Sequence, residues 1–568
     1  MSAEPRLKVV LFWHMHQPFY RDLISGEYQL PWTYLHAIKD YVDMAAHLEA
    51  VPDARAVINF APTLLEQIAD YAEQVQGSLK DSTPIRDPLL SLLDKPVLPV
   101  STEARLTLIH NCLRANRQRL IDRFPPYKRL ADMAAWLEQN PESLFYIGEQ
   151  FLADILVWYH LAWLGETVRR EDSRVQHLMD KGTGFTLHDR RILLEIIGGL
   201  LSGVIERYRL LAERGQVELS VTPYAHPIVP LLLDMKSAEE AWPDVHLPLL
   251  KQYPGGAART RWHIQEGLNI FRRFFGFTPK GCWPSEGSVS DATLKIIEEG
   301  GFSWVATGET VLGNSVAQTP EMRGLARHQY LYRPYRREKG KLASFFRDDG
   351  LSDLIGFSYA NWHADDAVSN FIHNLENIAQ ACKDTPGSVV SIVLDGENAW
   401  EYYPENGYYF LRALYERLAA HPLIKLTTFS DCLEEPETMA VLPHVVAGSW
   451  VYGTFSTWIG DPDKNRAWDM LGEAKNAFDR AVKSGELNDK QLMIAERQMA
   501  ICEGSDWFWW FGDYNPASTV SDFERLFRLQ LANLYHLIGV EPPDYLSQVF
   551  AHGSGAPAAG GVMRTGKA

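Results

Sequence analysis

Four short stretches of this chain place acidic and imidazole side chains directly after runs of apolar, β-branched residues. The first is Trp13-His14-Met15-His16-Gln17-Pro18, and the second runs from Glu218 through Thr222-Pro223-Tyr224-Ala225-His226-Pro227. The third is Trp283-Pro284-Ser285-Glu286, and the fourth is Asp395-Gly396-Glu397-Asn398 followed by Trp400-Glu401. Paired carboxyls at one rim suit glycosidic bond chemistry, in which one attacks or stabilises the anomeric carbon and the other protonates the leaving oxygen. A retaining enzyme holds such a pair about 5–5.5 Å apart, whereas an inverting one leaves room for water. The acid must keep its proton near neutral pH, and Glu397, Trp400 and Glu401 offer Asp395 the like-charged and apolar neighbours that raise a pKa. A single acidic residue after a strand also serves as a helix N-cap, so the gathering of these groups is the signal rather than any one of them.

His14 and His16 admit two chemistries. Alternate residues of a strand share a face, so the two rings can bind a metal, with Asp353, His226 or His363 as further ligands. That reading gives a zinc hydrolase of deacetylase type. Imidazoles are equally good partners for sugar hydroxyls, which is the reading favoured here. Seventeen Trp and 24 Tyr among 568 residues supply flat apolar faces for stacking on sugar rings, or filling for a large core. The segment Glu503-Gly504-Ser505-Asp506-Trp507-Phe508-Trp509-Trp510 concentrates carboxylates and rings in one loop.

The elements that must position these groups follow from periodicity. Apolar runs at 8–13, 56–60, 217–221, 302–306 and 389–394, with a short one at 281–283, read as strands buried on both faces. Helical patterns lie between them, such as the stretch from Asp291, with an Asp start and a Gly300 stop. The alternation predicts an α/β parallel barrel or sheet, catalytic groups sitting at the C-terminal ends of its strands. Residues 85–210 read as a helical insertion, 1–435 as the barrel that carries it, 436–550 as a C-terminal helical domain, and 551–568 as a disordered Gly/Ala-rich tail. A net charge of −17 argues against nucleic acid. No apolar run long enough to span a membrane and no signal-type N-terminus is found, and five scattered Cys show no metal spacing. A reduced, cytoplasmic protein is the expectation.

Taken together, His16-Gln17-Pro18, Glu218 with Thr222 to Pro227, Trp283 to Glu286, Asp395 to Asn398, and Glu503 to Trp507 resemble the five signature segments of glycoside hydrolase family 57, in that family's order. The resemblance implies an incomplete (β/α)7 barrel with a C-terminal helical domain completing the cleft. It implies Glu286 as nucleophile, Asp395 as general acid/base, and no catalytic metal or other cofactor. Phe346-Arg347-Asp348, the stretch from Leu351 to Phe357, and Ser505 to Asp513 are most similar to the α-amylase and amylopullulanase branch. The expected activity is therefore retaining hydrolysis of α-glucans at α-1,4 bonds, cleavage of α-1,6 bonds being left open, with a branching enzyme or 4-α-glucanotransferase using the same residues as the alternative. His14, His16, Glu218, His226, Trp283, Asp353, Trp400, Glu503, Asp506, Trp507 and Trp510 are the expected substrate contacts.

Overall fold

The structure is a computed structural model that describes residues 6–434, 438–555 and 563–566. Its centre is a curled, mostly parallel sheet. The strands are β1 (Leu7–Met15), β2 (Ala56–Phe60), β3 (Val217–Val221), β4 (Gly281–Cys282), β5 (Trp304–Thr307), β6 (Tyr335–Arg336), β7 (Ala343–Phe346), β8 (Val389–Asp395), β9 (Ile424–Leu426) and β10 (Ala440–Val441). Seven of them run parallel in the order β7-β5-β4-β3-β2-β1-β8. A single parallel bridge between Arg347 and Ser391 then joins the two ends. The result is a barrel of seven β/α units that closes at one point only, which leaves one side for other elements to cover. β6, antiparallel to β7, carries β10 on its outer side, and β9 pairs with the first three residues of β1.

β1, β2 and β8 are almost wholly buried, as their mostly apolar sequences require of central parallel strands. Register aligns the chemistry: His14 of β1 pairs with Asn59 of β2 on one side and with Asp395 of β8 on the other. Thus three polar residues share one level at the C-terminal end of adjacent strands. Below them, Phe12, Trp283, Trp304, Phe345 and Phe429 fill the barrel interior.

Helices occupy the chain between β2 and β3, ending in the 27-residue helix Leu187–Glu213, whose Thr186 and Asp189 form a reciprocal capping box. After β10 come Pro462–Ser484, Asp489–Cys502, Asp506–Trp510 and Ala517–Leu537. The expected boundary at 435/436 lies outside the described residues. Of the stretch read from sequence as a disordered tail, residues 551–555 and 563–566 are placed. Ser554 N–H and Gly555 N–H donate to the carbonyls of Asp513 and Asn515. Among the described residues no helix is long and apolar enough to cross a membrane.

Candidate active site

Glu286 follows β4 in a one-turn segment, Ser285–Gly287, in which its own φ is 58°. A side chain larger than hydrogen is strained there, a cost of about 1–3 kcal/mol that persists only where the surroundings impose it. The surroundings are visible: Gly287 N–H donates to Pro284 O, and Trp450 N–H donates to Glu286 O. The indole Nε1–H of Trp450 also donates to Glu286 Oε2 at 3.0 Å. His226, past β3, has the same backbone strain, φ 59°. Both turns aim their side chains into the barrel mouth.

Asp395 ends β8, where Asn398 Nδ2 donates to its Oδ2 at 2.8 Å. Glu286 and Asp395 line one cavity of about 550 Å³ at the C-terminal end of the strands. Burial pushes Glu286 up to about 8, with the charge of Asp395 adding to the shift. Burial likewise pushes Asp395 up to about 6, against the pull of Asn398, His16 and Arg347. Around neutrality the pair therefore holds one proton, which rests on Glu286 in the free protein, so attack by Glu286 first requires that proton to pass to Asp395.

Three imidazoles form the neighbouring wall. His14 and His226 face each other, Nε2 to Nε2, at 3.2 Å. His16 stacks on His226 with ring centroids 4.0 Å apart. Each ring is anchored by its other nitrogen: His14 Nδ1 on Asn59 Oδ1 at 2.7 Å, His226 Nδ1 on Ser505 Oγ at 2.8 Å, and His16 Nε2 on Asp506 Oδ1 at 2.8 Å. Burial opposes a charge on His16, but Asp506, Glu286 and Asp395 together raise its pKa. Burial and the His16 charge lower that of His14, and the same causes lower that of His226. The three shifts thus favour a charge on His16 over one on either neighbour. Among the described residues these three His are the group able to hold a metal, their ligand nitrogens lying within 4.8 Å of one another.

Two buried polar atoms in the cavity have no partner in the protein, His16 Nδ1 and Glu397 Oε2. Leaving such groups unpaired costs about 1–3 kcal/mol each, so a hydroxyl-rich ligand that pairs them regains that cost. Burial, reinforced by the charge of Asp395, raises the pKa of Glu397.

The expected contacts divide in three. His14, His16, Asp506 and Trp510 line the cavity. His226, Trp283, Asp353 and Trp400 stand directly behind it. His226 holds His14. Trp283 packs against His14 and Trp450. Asp353 fixes Arg347 at 2.7 Å, and Arg347 itself lines the cavity. Trp400 packs on Trp13 and donates to Gly396 O.

Glu218, Glu503 and Trp507 lie elsewhere. Glu218 is the second residue of β3, so it sits toward the N-terminal end of the barrel rather than at the mouth. It accepts from Trp304 Nε1 at 2.7 Å and from Ser430 N–H and Oγ. Glu503 is fully buried between Arg259, His263 and Tyr253, and the first two hold its pKa down to about 2 despite burial. Trp507 donates to Ile501 O and packs on Phe523 and Phe527. None of the three lines the cavity: Glu218 ties β3 to β5 and Ser430 inside the barrel, Glu503 docks the C-terminal helices on the barrel, and Trp507 packs those helices together.

The structure adds Gln17, Trp32, Arg114, Glu397, Trp450 and Trp509 to the cavity wall. Gln17 and Glu397 stood inside the motifs already quoted, whereas Trp450 lies in an irregular segment with no periodicity to draw attention to it.

The family model for glycosyl hydrolase family 57 matches residues 10–443. A 4-α-glucanotransferase from Thermococcus litoralis is 22% identical over 327 residues, 54% of this chain and 43% of that protein, so the chain matches less than half the length of this relative. Among solved structures, a GH57 branching enzyme from Thermococcus kodakaraensis superposes with a TM-score of 0.57 at 14% identity, covering 94% of this chain and 90% of the other. An α-amylase from Thermotoga maritima superposes with a TM-score of 0.55 at 12% identity, covering 94% and 97%. At such identities the superpositions speak for the fold. With a family model spanning most of its length and a seven-unit barrel around paired carboxyls, this chain belongs to glycosyl hydrolase family 57.

Proposed function

We propose that this chain is a retaining enzyme acting on α-glucans, with Glu286 as nucleophile and Asp395 as general acid/base. The observation that carries the proposal is the placement of the two carboxyls after β4 and β8 on one cavity, close enough for the charge of Asp395 to raise the pKa of Glu286. In the first step Asp395 gives its proton to the glycosidic oxygen while Glu286 attacks the anomeric carbon. Trp450 Nε1–H stabilises the carboxylate before attack. In the second step Asp395, now ionised, takes a proton from the incoming hydroxyl, and the sugar leaves Glu286. His16 Nδ1 and Glu397 Oε2 pair with hydroxyls of the bound sugar, and Trp450 and Trp510 offer stacking faces.

The function favoured is hydrolysis of α-1,4 bonds, with α-1,6 bonds also cut, as in α-amylases and amylopullulanases. Transfer to a second sugar is the other reading, supported by the branching enzyme and 4-α-glucanotransferase among the similar proteins. The same residues serve both, and the choice rests on whether water or a sugar hydroxyl reaches the glycosyl-enzyme. Incubation with amylose and with pullulan tests the proposal. New reducing ends in proportion to bonds cut mark a hydrolase, maltotriose from pullulan marks α-1,6 cleavage, and redistributed chain lengths or new branches without reducing ends mark a transferase. No change in either polymer sinks the α-glucan reading.

A further inference from the structure

We propose that residues 563–566 form one wall of the substrate cavity and set the length of glucan it accepts. This rests on the α-glucan reading above. Met563 and Arg564 line the same cavity as Glu286 and Asp395. The cavity stays open with the segment in place, so the segment bounds it rather than plugs it.

The segment is seated by specific contacts. Gly566 N–H donates to Asp353 Oδ2 at 3.1 Å. Gly566 O accepts from Tyr452 N–H at 3.1 Å. Arg564 Nη1 donates to Thr457 Oγ1 at 3.2 Å. Its guanidinium lies 4.5 Å from the ring centre of Trp509 and 5.1 Å from that of Tyr514. A cation over an indole face occupies a surface on which a sugar ring would stack. Trp509 lines the cavity, so Arg564 covers one of its aromatic platforms.

The seat also reaches the reacting groups. Asp353 accepts from Gly566 on one oxygen and from Arg347 Nη2 on the other. Arg347 in turn lines the cavity and lowers the pKa of Asp395. A Cβ on Gly566 would stand 2.5 Å from Asp349 Cγ and 2.7 Å from Arg347 Nη1. Arg347 cannot yield, because it is buried and held by Val393 O, Asp349 and Asp353. Any larger residue at this seat must displace these groups or the segment itself.

Three variants test the wall: Arg564→Ala uncovers Trp509, Gly566→Val unseats the segment by overlap, and deletion of 563–568 removes it. Hydrogen exchange at the Tyr452 amide reports seating without any substrate. Protection should fall in Gly566→Val and in the deletion; unchanged protection in both shows that the segment is not seated there. The kcat/KM ratio of maltoheptaose to maltotriose reports length selection. It should rise by about tenfold in all three variants, the worth of one added stacking contact. A ratio equal to that of the unaltered protein, with Tyr452 deprotected, overturns the wall. Wild-type protein inert on every α-glucan, with Tyr452 protected as expected, overturns the α-glucan reading and the length selection with it while leaving the seating intact.

Discussion

Trp450 holds Glu286 at both ends: its amide donates to the Glu286 carbonyl at 3.2 Å and its indole to the carboxylate at 3.0 Å. The first bond supports the left-handed backbone that aims the side chain, and the second favours the ionised form that must attack. Trp450→Phe keeps the first and removes the second. A hydrogen bond to a charged group contributes about 1.5–3 kcal/mol, so kcat should fall about 10- to 100-fold. The pH at which the nucleophile ionises should also move upward. A variant with a wild-type pH profile and rate would show that the indole only fills space.

Glu286→Gln should abolish turnover and stabilise the fold, because burial and the charge of Asp395 make ionisation of Glu286 costly. The folded pKa of about 8 lies above the ordinary carboxylate value of 4.5. The stability of the protonated form is fully present below that ordinary value and is lost as pH rises through about 8. Wild-type and Glu286→Gln proteins should therefore melt alike at acid pH and diverge with rising pH, by up to about 5 kcal/mol above pH 8. Parallel melting curves from pH 4 to 9 would contradict a strained, buried carboxylate at this position.

The two roles separate with an activated glycoside, whose leaving group needs no proton. Asp395→Ala should regain the glycosylation step on such a substrate, visible as a burst of leaving group, while Glu286→Gln should not. Equal rescue of both reverses or voids the assignment.

Much of the barrel was legible because buried parallel strands have continuous apolar sequences: the runs at 56–60 and 217–221 match β2 and β3 residue for residue. β7 was passed over, its sequence Ala343-Ser344-Phe345-Phe346 holding no β-branched residue. Position along a strand decided the site. His14 and Asp395 fall at strand ends and reach the cavity. Glu218 has the same chemistry near the start of β3 and points to the far end of the barrel. Glu503 shows another limit, because nothing in its own segment reveals that Arg259 and His263, about 240 residues earlier, will neutralise it. Trp450 acts through a contact 164 residues away from Glu286, which local pattern does not encode.

Activity should survive exhaustive chelation. The expectation rests on the family resemblance: the three His stack 14–19° from parallel and each keeps one ring nitrogen free of Asn59, Ser505 and Asp506, so the geometry alone would admit a metal. Asp506, Glu286 and Asp395 raise the His16 pKa, which makes a metal compete with a proton for that ring. Stoichiometric zinc in the purified protein, with activity lost on its removal and regained on its return, would restore the deacetylase-type reading.

The loop after Glu503 carries three Trp whose fates the structure separates. Trp509 and Trp510 line the cavity, whereas Trp507 is buried behind them against Phe523 and Phe527. Ser505 N–H donates to His226 O at 2.9 Å, so the same loop is tied to the strained turn that carries His226. Trp510→Ala should weaken glucan binding of the folded fraction by about 1–3 kcal/mol and also lower stability, since its ring lines the cavity on one side and stacks on Phe523 on the other. Trp507→Ala should lower stability by about 3–5 kcal/mol through the cavity it leaves, with the affinity of the folded fraction unchanged. A fragment ending at residue 435 should be inactive, because it lacks Trp450, Asp506 and the loop that anchors His16 and His226. Thermal melts and binding isotherms on the single variants decide the matter: if Trp510→Ala loses stability alone, the loop is packing and the sugar stacks elsewhere.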